Sequence, residues 1–396
     1  MSRLDSYDSY DSYDSYDSYD SYDSYDSYDS YGRGGGRRGG TGALITHRDG
    51  IVGPWAKQGT PWSAPSLAIG APDNLARWDA RVRRFVFEAD LLAGLGFFAD
   101  PASESATLWH GDVLAGTPGA PPSTSWRRFV KMTRPPEARL QLQLDLVNGY
   151  ADLRGERARE ICAQVAAPFG FWATVVPLNP ARHPKSHELI GVVLRLAKHV
   201  EMQFKHALCV RRPHEYSPQV QPIITTPLHG SLPSGHATEA YAVARVLFEL
   251  ATPGAGSGIN AALVQLRTLL MRQAARIAIN RTIAGVHYPV DSSAGQLLGL
   301  SLAEYFLARC GWGGSSAALE AWHFDGGAFE GQQDFAGTEL FDAAQGTRLS
   351  TPYASRIESV LPSQSAPPVQ PFSVAASPHL AWLWAQARLE WQSGAP

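Results

Sequence analysis

Three separated stretches carry side chains that could hold a tetrahedral oxyanion and attack or ligate its central atom. They are Lys205, six residues, Arg212-Pro213; then Pro233-Ser234-Gly235-His236; then Arg281, five residues, His287, three residues, Asp291. Lys205 and Arg212 are seven apart, so on one continuous helix both cations project from the same face, and Pro213 then stops that helix. Pro233-Ser234-Gly235 reads as a loop entering a helix. There Gly235 lets the backbone approach a ligand, and free N–H groups favour an anion. Ser234 adds a hydroxyl, His236 follows at the helix start, and Arg281 offers a planar fork for oxyanions. His287 precedes Pro289 and has Asp291 four residues on. One helical turn would bring the carboxylate to one imidazole nitrogen. That contact would fix the tautomer and leave the other nitrogen as nucleophile or ligand. Taken singly, each piece has a bland reading: a solvated Lys–Arg face, a common loop, a capped surface His–Asp pair. The ordered set is what carries weight.

In these residues and spacings, Lys205–Asp291 resembles the superfamily of type 2 phosphatidic acid phosphatases, bacterial nonspecific acid phosphatases and vanadium-dependent haloperoxidases. The departure is Asn280, where that family usually has Ser before the arginine. The resemblance implies a helical bundle and a role for each residue. Lys205, Arg212, Ser234, Gly235 and Arg281 would hold the equatorial oxygens of phosphate or vanadate. His287 would be the phosphohistidine nucleophile, or the axial ligand of a vanadate cofactor. His236 would be the general acid/base at the opposite apical oxygen, and Asp291 would orient His287. In both branches fixed cations and N–H dipoles neutralise a trigonal-bipyramidal oxyanion.

Two features resemble the haloperoxidase branch, whose substrates are hydrogen peroxide and halide. His229 stands seven residues before His236 as a pocket-lining histidine, and Ala237-Thr238 follows. Two others point to a phosphomonoesterase acting on a small phosphate ester without a cofactor. Gly285-Val286-His287-Tyr288-Pro289-Val290-Asp291, with Ala294-Gly295, resembles the lipid-phosphatase form of the third motif. Position 202, where peroxidases often place a Trp, is Met202. The leading reading is haloperoxidase, with the phosphatase as its alternative.

Helices must position these groups. Apolar residues recur at helical spacing over 77–97, 137–167, 187–209, 234–250 and 261–279, and a further helix is expected from Pro289 to about 308. With no alternating run long enough for a sheet, the expected class is all-α, a helical bundle. The expected domains are a disordered tail with its linker, 1–42; a catalytic domain, 43–312, with its motif core at 205–291; and an extension, 313–396, Gly/Pro-rich with one aromatic helix. That helix would pack onto the bundle or onto a second copy, so a homo-oligomer stays open.

Apolar residues make up 44% and charged residues 18% of the 396, enough for a sizeable core. Basic residues number 34 and acidic 37, a net charge of −3; residues 1–40 hold nine Asp and four Arg, or −5, leaving +2 for the rest. Bulk nucleic-acid binding by the folded part is therefore not expected. Residues 5–31 are nine Asp-Ser-Tyr triplets, whose period fits neither helix nor strand and whose charges repel. A Gly/Arg linker follows. A non-enzymatic alternative rests on this tail, through self-association or RNA contact. Three dispersed cysteines fit a reducing compartment. No secretory signal and no membrane span is read, so the expected location is cytoplasmic. His187-Glu188-Leu189-Ile190-Gly191 lacks the second His of a zinc-protease helix. Trp109-His110 and Trp322-His323 are read as loop residues or an entrance lining.

Overall fold

The computed structural model describes residues 51–52, 54, 68–114, 123–166, 169–252, 260–313, 318–359 and 371–392; the Asp-Ser-Tyr tail and its Gly/Arg linker lie outside them. The principal helices within 72–396 are α1 (Ala80–Leu92), α2 (Glu137–Gly149), α3 (Arg154–Ala166), α4 (Pro184–Leu208), α5 (Gly235–Ala251), α6 (Ala261–Ile283), α7 (Pro289–Arg309) and α8 (Pro378–Gln392). Helix α7 is buried almost along its whole length. A helix apolar on every side belongs inside a protein, and α7 is the axis on which α5 and α4 pack.

Contact between α5 and α7 is close because α7 presents glycine there. A Cβ on Gly299 would lie 2.3 Å from the Thr238 carbonyl oxygen and 3.0 Å from the Tyr241 Cβ. This approach ties the second motif, at the start of α5, to the third, at the start of α7. Gly299→Ala is therefore expected to destabilise the fold. The better helix propensity of Ala contributes about 1 kcal/mol, but a methyl driven into backbone costs about 1–3 kcal/mol, and the backbone oxygen has little room to yield. A lowered denaturant midpoint at unchanged slope is the expected result; a raised midpoint would refute the close approach.

The all-α expectation is corrected by a five-stranded sheet. Strands β1 (Leu95–Asp100), β2 (Ser105–Leu114), β3 (Ser123–Thr133), β4 (Ala321–Asp325) and β5 (Ala354–Ile357) lie side by side in that order. β1 and β2 are antiparallel, from Leu95 opposite His110 to Asp100 opposite Ser105. β2 pairs antiparallel with β3 through a shift at Leu108/Trp109. β3 pairs parallel with β4, Val130 opposite Trp322. Two physical causes hid the sheet. Arg127, Arg128 and Lys131 interrupt any apolar alternation along β3. The β3–β4 partners are distant in sequence, so no hairpin signal exists. The helix expected over 77–97 is shorter for the same reason: Asp79 caps it by accepting from the Arg81 N–H, and β1 takes the residues from Leu95 on. The sheet bears on the site through Phe97, whose ring meets that of Phe204 edge-on at 5.0 Å, beside Lys205.

Helix α8 packs on α4 and α1 and terminates two other helices. Glu390 accepts from the Lys185 and Ser186 N–H groups, at 2.6 and 2.9 Å, satisfying the first turn of α4. Arg388 Nη1 donates to the Glu249 and Leu250 carbonyls at the end of α5, both at 2.9 Å. The aromatic C-terminal helix thus fixes the two helices that carry the first and second motifs. No helix among the described residues is long and apolar enough to cross a membrane.

Candidate active site

Lys205 lies in the last turn of α4 and is buried. Its ammonium donates to three carbonyls of the loop before α5: Gly230 at 3.3 Å, Ser231 at 3.2 Å and Pro233 at 2.6 Å. Arg212 is not on that helix, contrary to the two-turn expectation. α4 ends at Leu208, Cys209 turns left-handed at φ 47°, and Arg212 has extended backbone at φ −75°, ψ 156°. The reason is the neighbouring loop: Ser231 N–H donates to the Val210 carbonyl at 2.8 Å, so this segment must uncoil to meet it. Arg212 still converges on Lys205. Its guanidinium donates to the carbonyls of His229 at 3.1 Å, Val286 at 2.8 Å and Gly230 at 3.3 Å.

Of the two imidazoles beside Arg212, His287 has an assignable tautomer, because guanidinium groups only donate. Arg212 Nη1 lies 3.1 Å from His287 Nε2, so that nitrogen carries the lone pair. His287 Nδ1 then carries the proton and donates to Asp291 Oδ2 at 2.9 Å. His229 Nδ1 lies 3.2 Å from Arg212 Nη2 and 3.1 Å from the Gly230 carbonyl oxygen, between a donor and an acceptor. Burial, followed by the charges of Arg212 and Lys205, holds His287 well below the usual histidine range. Burial and Lys205 push His229 down to about 4. Both rings are therefore neutral near pH 7.

Asp291, in the first turn of α7, is buried and accepts three bonds on Oδ2: from His287, from the Tyr288 N–H at 3.0 Å, and from the Ser231 hydroxyl. Burial outweighs these bonds and pushes its carboxyl up to about 6. Its carbonyl oxygen accepts from the Ser234 N–H at 2.9 Å, which joins the second and third motifs directly. Ser234 caps α5, with its side-chain oxygen toward the Ala237 N–H. Gly235 begins the helix, so the N–H groups of its first turn stand at the site.

Arg281, near the end of α6, donates to Gln164 Oε1 at 2.9 Å and to the Ile161 carbonyl at 3.3 Å. His236 Nε2 donates to the Gln164 carbonyl at 3.3 Å. Burial and the Arg281 charge hold His236 well below the usual range. Asn280 also reaches Gln164 Oε1, at 2.9 Å, and accepts from Arg157 at 3.1 Å, so the departure from the family's Ser is anchored by α3. Gln164 is a positioning residue that sequence reasoning missed, as is Ser231. Neither has a sequence signal: Gln164 lies in an ordinary helix, and Ser231 is one of several loop residues.

All nine expected site residues, from Lys205 to Asp291, fall in this one region. The alternatives weighed elsewhere do not. His110 on β2 is buried against the rings of Tyr305 and Phe372, and His323 on β4 meets the Thr133 hydroxyl at 2.8 Å. Both are sheet residues rather than loop residues. Glu188 is ion-paired with Arg83 at 2.5 Å.

A charged group confined this way makes anion binding depend on pH. Burial, followed by Arg212, pushes the Lys205 ammonium down to about 7. An anion would favour its charged form, so binding above pH 7 must take up a proton. Sulfate affinity, which involves no change in sulfate charge over this range, is expected to be flat below pH 7. Above it, loss of the Lys205 proton alone should lower affinity about tenfold per pH unit. Calorimetry across pH 5.5–9 checks this; a flat profile would mean that Lys205 stays charged throughout.

The model of the PAP2 superfamily matches residues 189–311. No curated protein matches the chain. The matched stretch runs from α4 through α7 and contains each residue of the oxyanion site from Lys205 to Asp291. That segment, residues 189–311, is similar to the PAP2 superfamily.

Proposed function

We propose that the chain is a vanadium-dependent haloperoxidase, oxidising halide with hydrogen peroxide at the site built by Lys205, Arg212, Ser234, Gly235, Arg281 and His287. The observation that carries an oxyanion reaction is the tautomer of His287: Asp291 holds the Nδ1 proton, and the Nε2 lone pair faces Arg212. A lone pair there suits either a ligand or a nucleophile. His229 favours the peroxidase branch, as a neutral imidazole on Arg212 with part of its surface open.

The residues fit a vanadate group on their chemistry. Lys205, Arg212 and Arg281 supply three cations against an oxyanion, Ser234 and the first turn of α5 supply neutral donors, and His287 supplies nitrogen. Bound vanadate would supply a Lewis-acidic centre at which peroxide becomes reactive toward halide. The chain's own part is to neutralise the anion, hold His287 with its lone pair outward, and keep His236 neutral, able to take up a proton on Nδ1.

The phosphomonoesterase reading, through a phosphohistidine at His287, is favoured by Met202. It gives α4 a thioether where the peroxidase branch often carries an indole. The two readings respond oppositely to one ion. Dialysed protein with and without orthovanadate is assayed for bromide or iodide oxidation from pH 5 to 8, and for phosphomonoester hydrolysis. Vanadate-dependent halogenation is the expected result. Hydrolysis that vanadate inhibits, with no halogenation, would establish the alternative.

A further inference from the structure

Helix α4 carries a second buried group one turn before Lys205. Glu201 is 0% exposed, and neither carboxylate oxygen has a hydrogen-bond partner. Positions four apart lie on the same helical face, so Glu201 faces the loop that Lys205 binds. Its carboxyl group rests directly on Gly235: a Cβ built there would lie 2.7 Å from Oε1 and 3.1 Å from Oε2. A carboxylate at a helix start is ordinarily explained as a cap. Glu201 makes no such bond, and the cap of α5 is Ser234. A carboxyl buried this fully, with the Lys198 ammonium 3.5 Å from Oε1 as its ion-pair partner, is costly to keep, so its position against the anion-binding turn calls for a ligand.

We infer that the Glu201 carboxyl is a hydrogen-bond donor of the oxyanion cage, placed by α4 beside Lys205 and against Gly235 of α5. The inference rests on the oxyanion reading of this site and deepens it. A carboxyl group can donate to an anion only while protonated; once ionised it repels the anion instead. The charged groups around it are known on each packed element. On α4 Lys198 Nζ stands 3.5 Å from Oε1, with a side chain 40% exposed, and Lys205 is one turn on. Arg212 acts from the following segment, and burial outweighs all three cations, pushing the carboxyl up. On α5, Glu239 lies one turn beyond Gly235. Burial and then Glu201 itself push Glu239 up to about 8, so the two carboxyl groups resist ionising together. The α1 carboxylate Glu88 is engaged elsewhere, by Arg195 and His199.

The consequence is a cage that accepts an anion together with a proton. As pH rises, Glu201 changes from donor to repelling charge while Lys205 loses its own proton. The two losses act in the same direction. Where both titrate, the logarithm of affinity should fall with a slope approaching about −2 per pH unit, against −1 for Lys205 alone.

Sulfate binding to the full chain, measured by calorimetry from pH 5.5 to 9, tests this with two conservative substitutions. Glu201→Gln keeps a donor that cannot ionise. Its affinity should exceed wild type by a factor that grows as pH rises, and follow the shallower slope. Glu239→Gln replaces a carboxyl that burial and then Glu201 itself hold neutral, so its profile should follow that of wild type. A purely structural role would weaken binding at every pH and would leave the slope of the Glu201→Gln profile unchanged. Superimposable profiles for wild type and Glu201→Gln, or a uniform loss in both variants, would overturn the inference. Wild type that binds no sulfate even at pH 5.5 would overturn the oxyanion reading itself. Should Glu201→Gln fail to fold, the wild-type slope decides, one no steeper than about −1 per pH unit counting against the inference.

Discussion

Replacing His287 by Ala is expected to abolish turnover, lowering kcat by on the order of 10⁵-fold or more, the scale seen when the central group of a catalytic unit is removed. Neither of the other two site imidazoles can take over. His229 Nδ1 is taken up by Arg212 Nη2 at 3.2 Å and the Gly230 carbonyl at 3.1 Å, and His236 directs Nε2–H to the Gln164 carbonyl at 3.3 Å. Neither ring is oriented by a carboxylate as His287 is. The oxyanion cage, by contrast, is built from Lys205, Arg212, Ser234 and Arg281, each held by backbone or by α3. Sulfate affinity in the variant is therefore expected to stay within a few-fold of wild type. Because His287 is buried, its removal leaves a cavity beside Arg212, and added imidazole should restore part of the rate. Residual activity above about 1% of wild type, without imidazole, would place the chemistry on another group.

The site residues were legible because their types and internal spacings survive in sequence, although 86 positions separate Lys205 from Asp291. How they converge was not. A heptad spacing between Lys205 and Arg212 suggests one helix face, yet α4 ends at Leu208, and Arg212 reaches the site from extended backbone because Val210 must bond the loop at Ser231. Gln164 was invisible because its partners Asn280, Arg281 and His236 come from α5 and α6, and nothing local in α3 announces them. Glu201 reads in sequence as one more polar residue on an amphipathic helix; its burial is decided by α5 lying against it. The helices around α5 to α7 followed from apolar periodicity. The sheet did not, because its parallel β3–β4 pair joins distant segments, one of them crowded with arginine.

Asp291→Asn is expected to lower kcat by on the order of 10³–10⁴-fold, with little change in fold. The amide has nearly the shape of the carboxylate, and its oxygen can occupy the Oδ2 position, where the His287, Tyr288 and Ser231 donors meet. What it lacks is the negative charge that supports His287 as charge develops on the ring. Turned over, it would donate to Nδ1 and move the imidazole proton to Nε2, the nitrogen the chemistry needs bare. The wild-type pH profile makes the same distinction without mutagenesis. Burial pushes the Asp291 carboxyl up to about 6, so protonation on the acid side should mimic the amide, and kcat should fall as pH drops through that value. Lys205, pushed down to about 7, loses its charge on the alkaline side and weakens anion binding there. The two limits predict a narrow bell with its maximum between about 6 and 7. In Asp291→Asn the acid limb should vanish from the residual activity while the alkaline limb remains. A variant that keeps the acid limb would assign that titration to another group and remove Asp291 from the orienting role.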